Sequence, residues 1–226
     1  MGEVQHEYYR FSKTVKTLKS LDIYFFLQLL SLNNIDTLSI HSSKMKNLSN
    51  MFKNTMSSIA SNAMILTSAT AHPTNPAKMF GTTLSSVASV TVHPEPIVQF
   101  NIQIPSATSS SMHELKYMAL HVLKPNLDSV ELARSFSRGA RHESPFERIP
   151  SIKWEMLSNK DFDIPILHDV SDHILICEKY KVFEVYNHEI WTCKIVDILT
   201  TEKPSGGLLY YKRKFHTVGK EFIESK

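Results

Sequence analysis

The sequence predicts a mainly β chain, folded as a closed or split β-barrel of Greek-key type with a few flanking α-helices. Three observations predict it. Short apolar runs bounded by Gly, Pro, Asn and Ser recur along most of the chain, the texture of strands and turns. Only two helical patterns interrupt those runs after residue 60. There is no regular β-α-β alternation and no GxGxxG, which argues against a Rossmann nucleotide domain.

The elements follow in order. Residues 1–45 form an extension, acid-poor from Tyr8 onward, compatible with a targeting segment or with an extra helix packed on the barrel or on a partner chain. Residues 46–226 form the barrel domain. Leu48, Met51, Phe52, Thr55, Met56 and Ile59 recur at helical spacing, so Asn47 to Ala60 reads as an amphipathic helix whose stripe packs into the core. Met64–Thr67 is the first barrel strand, and Thr70–Pro76, with two prolines, is a loop. Phe80–Val92 and Ile97–Ile104 are strands. Ser111-x-x-Glu114 is a capping-box pattern that opens a short helix near Leu115. Tyr117–Leu123 is a strand. Asn126–Arg138 is a helix with Leu127, Val130, Ala133 and Phe136 on one face and Gly139 as its stop. Beyond Pro150 the strands are Ile152–Leu157, His173–Val185, Glu189–Leu199 and Leu208–Phe215, with a turn at 203–207.

Composition narrows the function classes. At 226 residues, 42% hydrophobic and 21% charged, the chain suits one domain with a substantial core plus an extension. A formal charge of +3 with dispersed Lys and Arg gives no nucleic-acid signature. The eleven histidines are scattered, with no HExxH and no paired Cys/His spacing, so no metal site is expected. Cys177 and Cys193 each sit in an apolar strand and read as buried thiols of a reducing, intracellular compartment, mitochondrial or cytoplasmic. Ile23–Leu32 is too short to span a bilayer. Missing triads and carboxylate pairs argue against hydrolases and glycosidases.

The segment Gly81 to Thr108 is dense in hydroxyls: Thr82, Thr83, Ser85, Ser86, Ser89, Ser106 and Thr108. Hydroxyls on a β-rich segment are costly to bury unless each finds a partner. A bound polyanion with a polar ring system supplies such partners, and so does ordinary strand and turn structure. The order of the pieces adds information. Gly81, Thr83, Ser85, Ser86, Ser89 and Val90 are followed by Phe100-Asn101-Ile102 and then by Pro105, Ser106 and Thr108. This arrangement resembles the flavin reductase-like family, whose fold is the FMN-binding split barrel. Ser135–Ile149, Asn187–Ile198 and Gly206–Gly219 are similar to further segments of that family, so the resemblance covers about residues 50 to 219.

The resemblance implies an FMN-binding oxidoreductase, an NAD(P)H-dependent flavin reductase working as a homodimer, with FMN as cofactor and NADH or NADPH as hydride donor. It implies that Thr83, Leu84, Ser85 and Ser86 line the flavin and that Ser106 and Thr108 lie on the phosphate side. Ser89 and Asn101 join the cofactor set, although both also suit a role within the barrel. His188 matches the family histidine near the flavin and nicotinamide and is the catalytic candidate. The chain departs from the pattern in several places. Ala107 replaces a basic residue on the phosphate side, where Lys78, Lys116 or Arg138 would have to compensate. Asn187 replaces an aspartate, Cys193 a glycine, and Glu95 separates Pro94 from Pro96. These departures keep a second reading open: a non-catalytic relative acting as a structural or assembly protein, with a protein partner on the amino-terminal extension. A split barrel that binds another cofactor, such as haem, is a third.

Overall fold

The structure is a computed structural model in which residues 44–69, 75–138 and 144–219 are described. Most of the loop expected at Thr70–Pro76, the helix stop at Gly139 and most of the amino-terminal extension lie outside the described residues. The chain divides into two compact units, Met1–Met56 and Ser57–Lys226. In the first, helix α1 spans 44–57. Its stripe, expected to pack into the core, is exposed instead: Leu48, Met51 and Phe52 are each at least 60% accessible. The cores of the second unit are built largely from inward residues of its strands and of two later helices.

The second unit is Ser57–Lys226. Its strands are β1 (Ser61–Asn62), β2 (Met64–Ala69), β3 (Met79–Leu84), β4 (Ala88–Thr91) and β5 (Ile97–Gln103). Helix α2 (Ala107–Leu115), β6 (Tyr117–Leu123) and helix α3 (Leu127–Phe136) follow. The remainder is β7 (Glu155–Ser158), β8 (Asp163–Ile166), β9 (Ser171–Val185), β10 (His188–Thr200), β11 (Leu209–Tyr211) and β12 (Lys214–His216). Seven strands form one antiparallel sheet in the order β3-β2-β6-β9-β10-β5-β4, flanked by the small sheets β1-β11-β12 and β7-β8. This is the expected split barrel with flanking helices.

Burial on both faces explains why the central strands read as apolar runs rather than alternating ones. All six residues of β2 are buried. Ile65 joins Phe136, Phe146 and Leu167 in one core, while Met64 and Leu66 join Phe100, Met118, Leu120 and Trp191 in another. His121 on β6 is fully buried among these layers. Its Nδ1 lies 2.9 Å from the Ile65 carbonyl, and its Nε2 accepts the Leu167 N–H at 3.1 Å. That pairing fixes a neutral ring protonated on Nδ1, and burial holds its pKa down to about 4. Cys177 and Cys193 are free and fully buried in the second core, as expected. Burial pushes the Cys193 thiol up to about 12 and the Cys177 thiol well above its ordinary value.

Several expectations fail locally, two of them for reasons visible in the hydrogen bonds. The Phe80–Val92 strand is broken between β3 and β4, because Ser86 bonds the Asn101 backbone instead of continuing a ladder. The helix expected to open near Leu115 ends there. Ser106, not Ser111, is its N-cap, and Ser111 Oγ donates to the Ala69 carbonyl at 2.7 Å.

Candidate functional site

Strand β3 is held close to α3 by sequence. A Cβ on Gly81 would stand 2.6 Å from the Phe136 ring and 2.7 Å from the Leu66 carbonyl oxygen, so only glycine allows this approach. Two residues on, Thr83 Oγ1 donates to the Ala133 carbonyl at 2.6 Å. Across from β3, strand β5 runs into Pro105 and the start of α2. Between them lies a cleft of about 630 Å³, bounded by Thr82–Leu84, by the chain from Asn101 to Thr108, and by Ser137 and Arg138 at the end of α3.

The start of α2 supplies its polar wall. Ser106 Oγ accepts the Ser109 N–H at 3.3 Å, and the Ser106 carbonyl accepts the Ser110 N–H at 3.0 Å. Ala107 and Thr108, the first helical residues, have no preceding turn to bond their amides, and both line the cleft. A helix N-terminus of this kind favours an anion. Arg138 adds a full positive charge on the same cleft. Of the three cations considered as substitutes for the basic residue missing at Ala107, Arg138 is the one that lines the cleft. Lys78 lies in a 3-10 turn before β3, and Lys116 caps the far end of α2.

Thr83, Leu84, Asn101, Ser106 and Thr108 are thus brought together. Ser85 and Ser86 flank the cleft without forming its wall. Ser86 Oγ accepts the Asn101 N–H at 2.9 Å, which ties the segment after β3 to β5. Ser89 sits on edge strand β4 opposite Val98 and does not line the cleft. His188 is exposed and lies opposite Gln103, a cleft residue, in the β10–β5 register. Its Nδ1 is 3.0 Å from Asn187 Oδ1, so the asparagine retains a hydrogen-bonding partner for the imidazole. The Ile104 N–H donates to the Asn187 carbonyl at 2.9 Å, holding this hairpin end beside the cleft.

Sequence reasoning missed the support behind α2. The Glu189 carboxylate, 6% accessible, accepts hydrogen bonds from Ser109 Oγ, from Trp191 Nε1 at 2.9 Å and from His113 Nε2 at 3.0 Å. Burial pushes this carboxyl up, but the bonds from Ser109, His113 and Trp191 outweigh it and hold its pKa below the ordinary value. The signal was present in the spacing. Ser109 and His113 are four apart on one helix face, and Glu189 and Trp191 are two apart on one strand face.

Comparison with known proteins agrees with this architecture. Residues 56–219 match the model of the flavin reductase like domain. No curated protein sequence matches the chain. Among solved structures, a flavin reductase domain protein from Arthrobacter sp. FB24 is 25% identical, with a TM-score of 0.63 over 78% of this chain and 99% of that one. An NADH:FAD oxidoreductase of Streptomyces globisporus C-1027 shares the fold at 15% identity and a TM-score of 0.61, covering 77% and 90% of the two chains. A nitrilotriacetate monooxygenase component B homologue from Mycobacterium thermoresistibile does so at 15% identity and a TM-score of 0.64, covering 80% and 94%. With most of its length matched by the family model and its strands in the same barrel, the chain belongs to the flavin reductase-like family.

Proposed function

We propose that the chain is an NAD(P)H-dependent flavin reductase that holds the FMN moiety of its flavin in the cleft between β3, β5 and the start of α2. The observation that carries the reading is the convergence of the α2 N-terminus, the Ser106 and Thr108 hydroxyls and Arg138 on one cleft. These donors fit a phosphate. Thr82–Leu84 and Asn101–Ile104 offer strand backbone and side chains to the ring system. The flavin, when bound, supplies the hydride acceptor, so the protein needs no strong acid or base. Its own residues bind, orient and exclude water. The exposed His188 ring stands at the edge of the cleft, where it is suited to shape the nicotinamide pocket.

A homodimer fits the same reading. Tyr180, Phe183 and Val185 of β9 and Val196 and Ile198 of β10 are all about half exposed, an apolar surface suited to a second copy. The test of function is a flavin titration followed by anaerobic mixing with NADH and NADPH. Saturable binding and bleaching of the flavin absorbance support the proposal. Binding without reduction by either nucleotide would replace it with the non-catalytic reading.

A further inference from the structure

No Asp or Glu occurs between Asp36 and Glu95. Lys44, Lys46 and Lys53 of that stretch fall on helix α1, which therefore carries three positive charges and no negative one. Its remaining polar residues are all Asn, Ser or Thr. Lys, Met and Leu are good helix formers, and they supply much of its length.

A helix turns about 100° per residue. At that step Met45, Leu48, Met51, Phe52 and Met56 fall within an arc of about 140°. All five are open to solvent, from 48% at Met56 to 63% at Leu48 and Phe52. Thr55 lies in the same arc, and its Oγ1 donates to the Met51 carbonyl at 3.0 Å, which folds the hydroxyl back onto the helix. Lys46 and Lys53 stand within about 20° of each other, well round on the polar side. Lys44 stands at the first described position, at the end of the stripe, where a long stem carries its charge clear of apolar surroundings.

The pattern selects among occupants of this face. A second copy of the helix fits poorly. Heptad positions a and d fall on Met45, Leu48, Phe52 and Thr55, which is two heptads where a coiled coil needs more. The stripe is also wider than an a/d seam, and pairing would set two purely cationic helices side by side. A protein groove that took the stripe would leave Lys46 and Lys53 in water. A lipid surface uses both faces. A helix sunk about 5–10 Å into the boundary between headgroups and acyl chains keeps its polar side level with the headgroups. There the lysines meet anionic charge although they point away from the stripe.

We propose that α1 docks on the surface of an anionic lipid bilayer, with Leu48, Phe52 and the methionines among the upper acyl chains and the three lysines at the headgroups. The inference does not rest on the flavin reading. Helix α1 spans 44–57, about 21 Å, and five apolar side chains give a reversible attachment rather than a permanent one.

The experiment is flotation of the full chain with vesicles of phosphatidylcholine alone, and of phosphatidylcholine and phosphatidylserine in about equal parts. The wild type should bind the mixed vesicles at least roughly tenfold more tightly than the neutral ones, and added salt should shrink that preference. Leu48→Glu/Phe52→Glu should abolish binding to both. Lys44→Gln/Lys46→Gln/Lys53→Gln should lower the affinity for mixed vesicles to that for neutral ones. Because Leu48 and Phe52 are exposed, the Glu variant should keep the melting temperature, oligomeric state and FMN affinity of the wild type. A chain that floats with the mixed vesicles but binds no flavin keeps the docking and removes the flavin reading. A wild type that ignores both vesicles overturns the proposal and leaves the stripe to a protein groove. A Glu variant that floats as well as the wild type also overturns it, and one that loses a dimer formed by the wild type overturns it in favour of a second copy.

Discussion

His121 shows how one buried side chain sets a pH limit. Its ring stays neutral in the fold, with a pKa near 4, against 6.5 for an ordinary histidine. The unfolded chain therefore binds more protons between those values. The stability this adds is complete above pH 6.5, falls as pH drops through that window, and levels off below 4. The expected loss between pH 8 and pH 5 is about 2 kcal/mol, measured by urea unfolding at the two pH values. A His121→Gln variant, less stable at pH 8, should show a flatter profile over that window. Gly81→Ala should cost about 1–3 kcal/mol, because the added carbon meets the Leu66 carbonyl and the Phe136 ring. An unchanged melting temperature would show that β3 moves away from α3 freely. At the cleft, Arg138→Ala should weaken FMN binding by about 1.5–3 kcal/mol and leave riboflavin binding nearly intact. Equal weakening of both ligands would place the phosphate elsewhere. Arg138 could be named from sequence only as one of three dispersed cations. What selects it is the path of α3, which no local pattern encodes.

At the scale of elements, strand texture was legible wherever both faces are buried. Tyr117–Leu123 was read with its true bounds, because seven residues of β6 lie between packed layers. The start of α2 was misread, because Ser106 and Ser111 both head plausible caps and only tertiary contacts decide between them. The hairpin at Lys212–Arg213 was read as continuous strand, since its turn lacks the residues that announce one. The fixed position of α2 depends on Glu189. Glu189→Leu should strand the Ser109, His113 and Trp191 donors and destabilise the fold by about 2–4 kcal/mol. Because the bonded carboxylate has a lowered pKa, the stability it confers is present above the ordinary carboxylate pKa. It is lost as pH falls through the folded value. FMN affinity should fall in the same variant even at temperatures where it stays folded, since the amides of Ala107 and Thr108 move with α2.

At the scale of the whole molecule, the split barrel was legible through the ordered motifs from Gly81 to Thr108, which fall on β3, β5 and the start of α2. The same motifs did not show that Ser89 lies outside the cleft lining, because spacing along a strand gives no position across a sheet. The exposed apolar residues of β9 and β10 predict self-association. Phe183→Glu should convert a dimer to a monomer in sedimentation equilibrium, and a wild type that sediments as a monomer at micromolar concentration would remove the dimer reading.

The two buried thiols have a further consequence. Cys177 and Cys193 lie on β9 and β10, the adjoining strands at the middle of the seven-stranded order. Their raised pKa values leave almost no thiolate at neutral pH, and no reagent reaches them while the sheet is closed. They are therefore a built-in clock for the opening of the barrel. An aromatic disulfide reagent in excess should label the native protein only as fast as the core that covers the two thiols opens, and saturating flavin should slow that labelling by the factor its binding adds to stability.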